Sequence, residues 1–169
     1  MGKRIYFEKE DYLKGLKEVT QNLQNAVDKL EHKSVQGLAD ALVYVGTLSQ
    51  NKAPVELGDL RGSLEIDIDG IVIAKGIPSK MSDEEKKSLR KRIRKGGAVN
   101  AEAGKGIETV AEPPENGKVG TISYNTPYAA DQHEQVNYDH KNGQAKYLES
   151  VLTSEKDRIL ELIAGGIIL

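Results

Sequence analysis

His133 and His140 stand close to Asp131, Glu134 and Asp139. Imidazole and carboxylate together suit zinc or iron, so these side chains could be drawn as a metal site and the chain as a small metal-dependent enzyme. The spacing argues otherwise, because His-x6-His matches neither the one-turn helical spacing of a zincin nor a structural zinc pattern. The chain has no cysteine, which removes thiolate nucleophiles, thiolate ligands and disulfides. There is no Gly-x-Ser-x-Gly elbow, and Ser63 reads as a strand residue. Gly96-Gly97 and Gly104-Lys105-Gly106 lack the spacing of a phosphate loop and read as backbone freedom. The acids alternating through Glu65, Asp67 and Asp69 read as the solvated face of a strand. No catalytic, cofactor or metal residue is assigned, and no enzymatic activity is expected.

One electrostatic feature is sharper. Lys86, Lys87, Arg90, Lys91, Arg92, Arg94 and Lys95 fall within residues 86–95 with no acid among them. Such a run can meet phosphates without regard to sequence, meet an acidic protein surface, or simply complement the C-terminal dipole of its own helix. The first option makes the chain a DNA-binding module acting through residues 86–95. Arg61, Tyr128 and His133 are candidates for an interface. The apolar tail Ile167-Ile168-Leu169 reads as a strand or core plug, or as a hook for a neighbouring subunit. Arg61 also has a plainer reading, as a surface ion-pair partner beside the Pro54–Gly58 turn.

These residues must be carried by a definite set of elements. From Asp11 to about Gln50, apolar residues recur at threes, fours and sevens, which predicts helix with one buried face. Glu31–Ser34 disturbs the rhythm, so two consecutive helices or one kinked helix are expected, with Ser34 able to cap the second. Pro54 stops the run. Leu64, Ile66 and Ile68 alternate with acids and Asp69-Gly70 supplies a tight turn, so Leu64–Asp69 and Ile71–Lys75 should form a hairpin. Lys118–Tyr124 fits a third strand. Ser82-Asp83-Glu84-Glu85 begins a capped helix that runs through Leu89 and Ile93 to Gly96-Gly97, and residues 98–117 read as loop. The final helix places Ala145, Leu148, Leu152, Ile159 and Leu162 near one stripe, with Val151 and Ile163 beside it, and stops at Gly165-Gly166. The expected fold class is α+β: a small antiparallel sheet against a long N-terminal helical region and a C-terminal helix.

At 169 residues the chain suits one domain, taken as residues 1–169 with 76–117 a flexible charged insertion. Tryptophan is absent and phenylalanine occurs once, so the core must be aliphatic and modest. A formal net charge of −2 gives no overall attraction to nucleic acid or to an anionic membrane. No apolar run is long enough for a membrane span, nor do the first residues resemble a secretory signal, so a protein soluble when made is expected.

Two separated segments carry a resemblance: Lys52-Ala53-Pro54-Val55-Glu56-Leu57-Gly58-Asp59-Leu60-Arg61-Gly62-Ser63-Leu64 and Tyr124-Asn125-Thr126-Pro127-Tyr128-Ala129-Ala130-Asp131-Gln132-His133-Glu134, with Gly143-Gln144-Ala145-Lys146-Tyr147-Leu148 following the second. In order and spacing they resemble the tail-completion, or head-to-tail joining (minor capsid), proteins of long-tailed bacteriophages. There a helix runs into an Ala-Pro turn and a Gly-x-Leu-Arg-x-Ser strand start. Leu57 stands where that family often has threonine, and Gln135-Val136 where it usually has glycine. The resemblance implies a structural virion protein at the head–tail junction, made in the bacterial host cytoplasm. It implies a ring with itself, hexameric in the family, and neck or stopper and tail-tube or tail-terminator proteins as partners, with packaged DNA a further possible contact and no membrane.

Overall fold

The computed structural model describes residues 9–95, 104–140 and 142–165. Its first element, α1 (Lys9–Lys52), is a single uninterrupted helix of 44 residues. Ser34 therefore caps nothing, and of the two expected arrangements the chain forms one helix rather than two. No proline or glycine lies in that stretch, and the apolar stripe on either side keeps one phase across it. After α1 come a single turn α2 (Asp59–Gly62), the strands β1 (Leu64–Ile68) and β2 (Ile71–Gly76), and helix α3 (Asp83–Arg94). Then follow β3 (Ile107–Thr109), β4 (Gly120–Tyr124), the short α4 (Ala129–Glu134), α5 (Tyr147–Ser154) and α6 (Lys156–Gly165).

The four strands form one antiparallel sheet in the order β3-β2-β1-β4, and with the helices they make an α+β fold. The β1–β2 hairpin turns through Asp69 and Gly70, both at positive φ (50° and 81°), as a type I′ turn requires. Asp69 also accepts hydrogen bonds from the amides of Lys118 and Val119 at 2.9 and 3.1 Å, so the turn residue fixes the entry of β4. β3 lies in the stretch read from sequence as loop. It pairs Ile107 with Gly76 and Thr109 with Ala74, extending the sheet by three residues at its edge.

The inward residues of β1, namely Leu64, Ile66 and Ile68, pack with Ile73 and Ala74 of β2 against Val35 and Ala39 of α1. Gly46 makes that close approach possible, since a Cβ there would lie 2.8 Å from the Ile66 side chain. On its other side α1 carries α5 and α6, and three links set their direction. Tyr147 packs with Ala53, Ser150 Oγ lies 3.4 Å from Lys52 Nζ, and Tyr44 donates to Glu155 at 2.8 Å. As α5 advances, its partners on α1 recede, so the two helices are antiparallel. The C-terminal helix is broken at Glu155. Val151, beside the expected stripe, is buried, and Leu148, Ile159 and Leu162 of the stripe are partly buried, whereas Leu152 is half exposed and Tyr147 joins the buried face.

α3 begins as read, with a reciprocal capping box. The Glu85 amide donates to Ser82 Oγ at 3.3 Å, and the Ser82 amide donates to Glu85 Oε2 at 2.7 Å. Its expected stop at Gly96-Gly97 lies outside the described residues.

Candidate functional site

The end of α1 leaves backbone carbonyls with no helical partner, and Arg61 supplies one. From the α2 turn its Nε and Nη2 donate to Ala53 O at 3.0 and 2.8 Å, and Nη2 also donates to Asn51 O at 3.2 Å. Arg61 is 3% exposed. The reading of Arg61 as a surface ion-pair residue is therefore corrected. Its guanidinium is a buried C-terminal cap, placed where the helix dipole favours a cation.

Gln50, equally buried, ties a second group of strands to the same corner. Its Nε2 donates to Arg61 O and to Gly106 O, each at 2.9 Å, and its Oε1 accepts from the Gly106 amide at 2.7 Å. Gln50 lies in no motif. The signal for it in the sequence is a polar side chain on the inward face of α1, next to Ser49, whose Oγ lies 2.7 Å from Tyr124 Oη.

The second and third motif segments close over this corner. Tyr147 is the central side chain: its ring meets Tyr124 edge-on at 5.0 Å and His133 edge-on at 4.8 Å, and its hydroxyl donates to Ala129 O at 3.3 Å. Burial pushes the Tyr147 phenol up to about 12, and burial raises that of Tyr124 further. Lys146, at a positive φ of 52°, donates its amide to His133 O at 2.7 Å and pairs its ammonium with Glu134 and with Glu149. That ammonium, and then His133 Nδ1 at 2.7 Å, hold the Glu134 carboxyl below the ordinary glutamate value. Residues 142–144 are fastened to the Ala-Pro turn: Gln144 N donates to Lys52 O at 2.9 Å, and Val55 N donates to Asn142 O at 3.3 Å. Gly143 sits between them at φ 93°, where any Cβ would come within 2.6 Å of Pro54.

Outside this packed corner lies a cleft of about 400 Å³. Its floor is the Pro54–Leu60 turn, and its walls include Tyr128 and Gln132 from the second motif, His140, and Arg90 from α3. Helix α3 is held there by Leu89 against Leu57 and by a 2.7 Å ion pair between Lys86 and Asp59. Tyr128 is 43% exposed, so part of it is accessible at the cleft. Partial burial, with Asp59 nearby, raises its phenol.

Of the interface candidates, Tyr128 alone combines exposure with a place in the cleft. Arg61 is buried, His133 is largely covered, and Ile167, Ile168 and Leu169 lie outside the described residues. Of the basic run, Arg90 reaches the cleft, Lys86 is tied to Asp59, and Lys87, Lys91, Arg92, Arg94 and Lys95 are exposed. Among the described residues, no group of three or more histidines and acids is placed to hold a metal ion. His133 Nε2 and His140 Nε2 are buried without a hydrogen-bond partner, and His133 is engaged with Glu134 and Tyr147.

Comparison with known protein families, curated proteins and solved structures finds no match, so the functional reading is carried by the motifs and their geometry.

Proposed function

We propose that this chain is a structural protein of the head–tail junction of a long-tailed phage or prophage, completing the tail or joining it to the neck as one subunit of a ring. One observation supports it above the rest. The segments whose order and spacing carry the resemblance fold into a single corner, clasped by Arg61, Gln50 and Tyr147. A corner so tied presents an outer cleft of fixed shape, which suits a protein that works by binding. Its partners in this reading are further copies of itself, in a hexamer as in the resembled family, together with neck or stopper and tail-tube or terminator proteins.

The test is electron microscopy of particles from a producing strain with an early stop codon in this gene, with complementation as control. Filled heads beside unattached tails are the expected result. Intact infectious particles would overturn the reading.

A second reading, a DNA-binding module, is favoured by one feature: the exposed cations Lys87, Arg90, Lys91, Arg92 and Arg94 share helix α3, with exposed Lys95 directly after it. It requires low-salt affinity for duplex DNA that falls steeply with ionic strength. Replacing Arg90, Arg92 and Arg94 with glutamate should abolish that affinity, and unchanged binding would remove this reading.

A further inference from the structure

The first half of α1 exposes an apolar stripe that nothing described covers. Leu16, Val19, Leu23 and Val27 are 46%, 56%, 63% and 48% exposed. Leu16, Thr20, Leu23, Val27 and Leu30 follow one another at spacings of four, three, four and three, which is the heptad seam of a coiled coil, with leucine at every second site. Thr20 fits such a seam, because its hydroxyl is already bonded to Leu16 O at 2.9 Å and its methyl group remains to pack.

Further along α1 the same face is covered by the chain itself. Ala41 and Val45 continue the seam's phase and are buried, and α5 and α6 lie antiparallel along this helix from Ala53 through Tyr44. Starting beside Tyr44 with 10 residues, at a rise of about 1.5 Å each, α6 reaches to about Ser34. Leu16, Val19, Leu23 and Val27 lie beyond that point and stay exposed, while Leu30 is partly buried.

We propose that a second copy of this chain covers it, the two α1 helices pairing antiparallel through their first halves about a two-fold axis. In the register that closes the seam on itself, Leu16 faces Val27 of the second copy and Thr20 faces its Leu23, each contact occurring twice. Three features point to this occupant. The flanking charges become complementary: Lys17 comes beside Glu31 of the second copy and Gln24 beside its own counterpart, while Val19 meets Ala26 on the other flank. The overlap fits the space, because residue 9 of the second copy falls opposite Ser34, where α6 stops, and the two domain bodies sit at opposite ends of the pair. Like charge does not oppose association, since Lys14, Lys17 and Lys29 balance Glu18, Asp28 and Glu31. This pairing does not depend on the head–tail role.

The test is light scattering with sedimentation on the full-length protein over a range of concentrations, applied to four variants. The expected result for the unaltered chain is a reversible dimer. Leu23→Glu should abolish the dimer and leave the thermal transition of the monomer unchanged, because Leu23 contributes nothing to the body. Lys17→Glu and Glu31→Lys should each weaken association roughly tenfold, as two repulsive pairs replace two attractive ones. The double variant K17E/E31K should recover to within about twofold, since the pairs re-form with reversed polarity. A parallel dimer would show no such rescue, because Lys17 and Glu31 would not meet. A monomer at every concentration, a dimer indifferent to Leu23→Glu, or a double variant no better than the singles would each overturn the proposal.

Discussion

Arg61 shows how much one side chain can hold when its charge is buried against backbone. Its guanidinium takes carbonyls that would otherwise be stranded at the end of a 44-residue helix, and Gln50 grips its own carbonyl from the same helix. Arg61→Ala would strand Ala53 O in a dry site and is expected to destabilise the fold by about 3 kcal/mol or more, measured by denaturant unfolding. Arg61→Lys should recover only part of that loss, because a point charge cannot reproduce two forked bonds to Ala53 O. Equal stability of the lysine variant and the parent would show that charge alone matters. Tyr147 divides its work differently. Its ring fills the corner while its hydroxyl makes one 3.3 Å bond, so Tyr147→Phe should cost about 1 kcal/mol and Tyr147→Ala about 3–5 kcal/mol. Neither side chain's role can be read from its type. Arginine is ordinarily exposed and tyrosine is found both inside and outside, and only the meeting of chain segments far apart in sequence makes these two core.

The ion pairs around Lys146 act where α4 meets α5, and their pH dependence belongs to that junction. Glu134 is held below its ordinary 4.5 and Lys146 above its ordinary 10.5. Glu134's contribution is thus present above the ordinary glutamate value and is lost as pH falls through its lowered value. That of Lys146 is present below 10.5 and is lost as pH rises through its raised value. Both groups are solvent-exposed, so the effect on global stability is small, and nuclear magnetic resonance titration of the Glu134 carboxyl is the proper measurement. Lys146→Ala should move its midpoint upward; an unmoved midpoint would show that His133 alone sets it. Helix α3 makes a complementary case: Ser82→Ala removes one side of its capping box and should cost about 1 kcal/mol of helix stability. Both α3 and the β1–β2 hairpin were legible because their signals are local, a Ser-x-x-Glu box in one and alternation with an Asp-Gly turn in the other. β3 was not, because three residues held by pairing to β2 and by Gln50 at Gly106 leave no periodicity to read. The break at Glu155 was hidden for a related reason, since neither glycine nor proline marks it.

At the scale of the whole molecule α1 is a helix in two environments. Residues 35–50 are sandwiched between the sheet and α5–α6, while Leu16–Val27 stands outside that packing with its apolar side chains exposed. A helix segment without tertiary packing is marginal in water, so its hydrogen bonds should open far more readily than those of the packed half. Hydrogen exchange on dilute protein is therefore expected to show rapid exchange through residues 16–27 and slow exchange, governed by global unfolding, through residues 35–50. Raising the protein concentration should protect the first half and leave the second unchanged if a second copy is its cover, because only binding between molecules depends on concentration. Protection of both halves at every dilution would instead mean that the stripe is covered within one chain, and the antiparallel pair would then be wrong. The same measurement on Leu23→Glu separates association from intrinsic helix strength: the variant should exchange rapidly through residues 16–27 at all concentrations while residues 35–50 keep their protection.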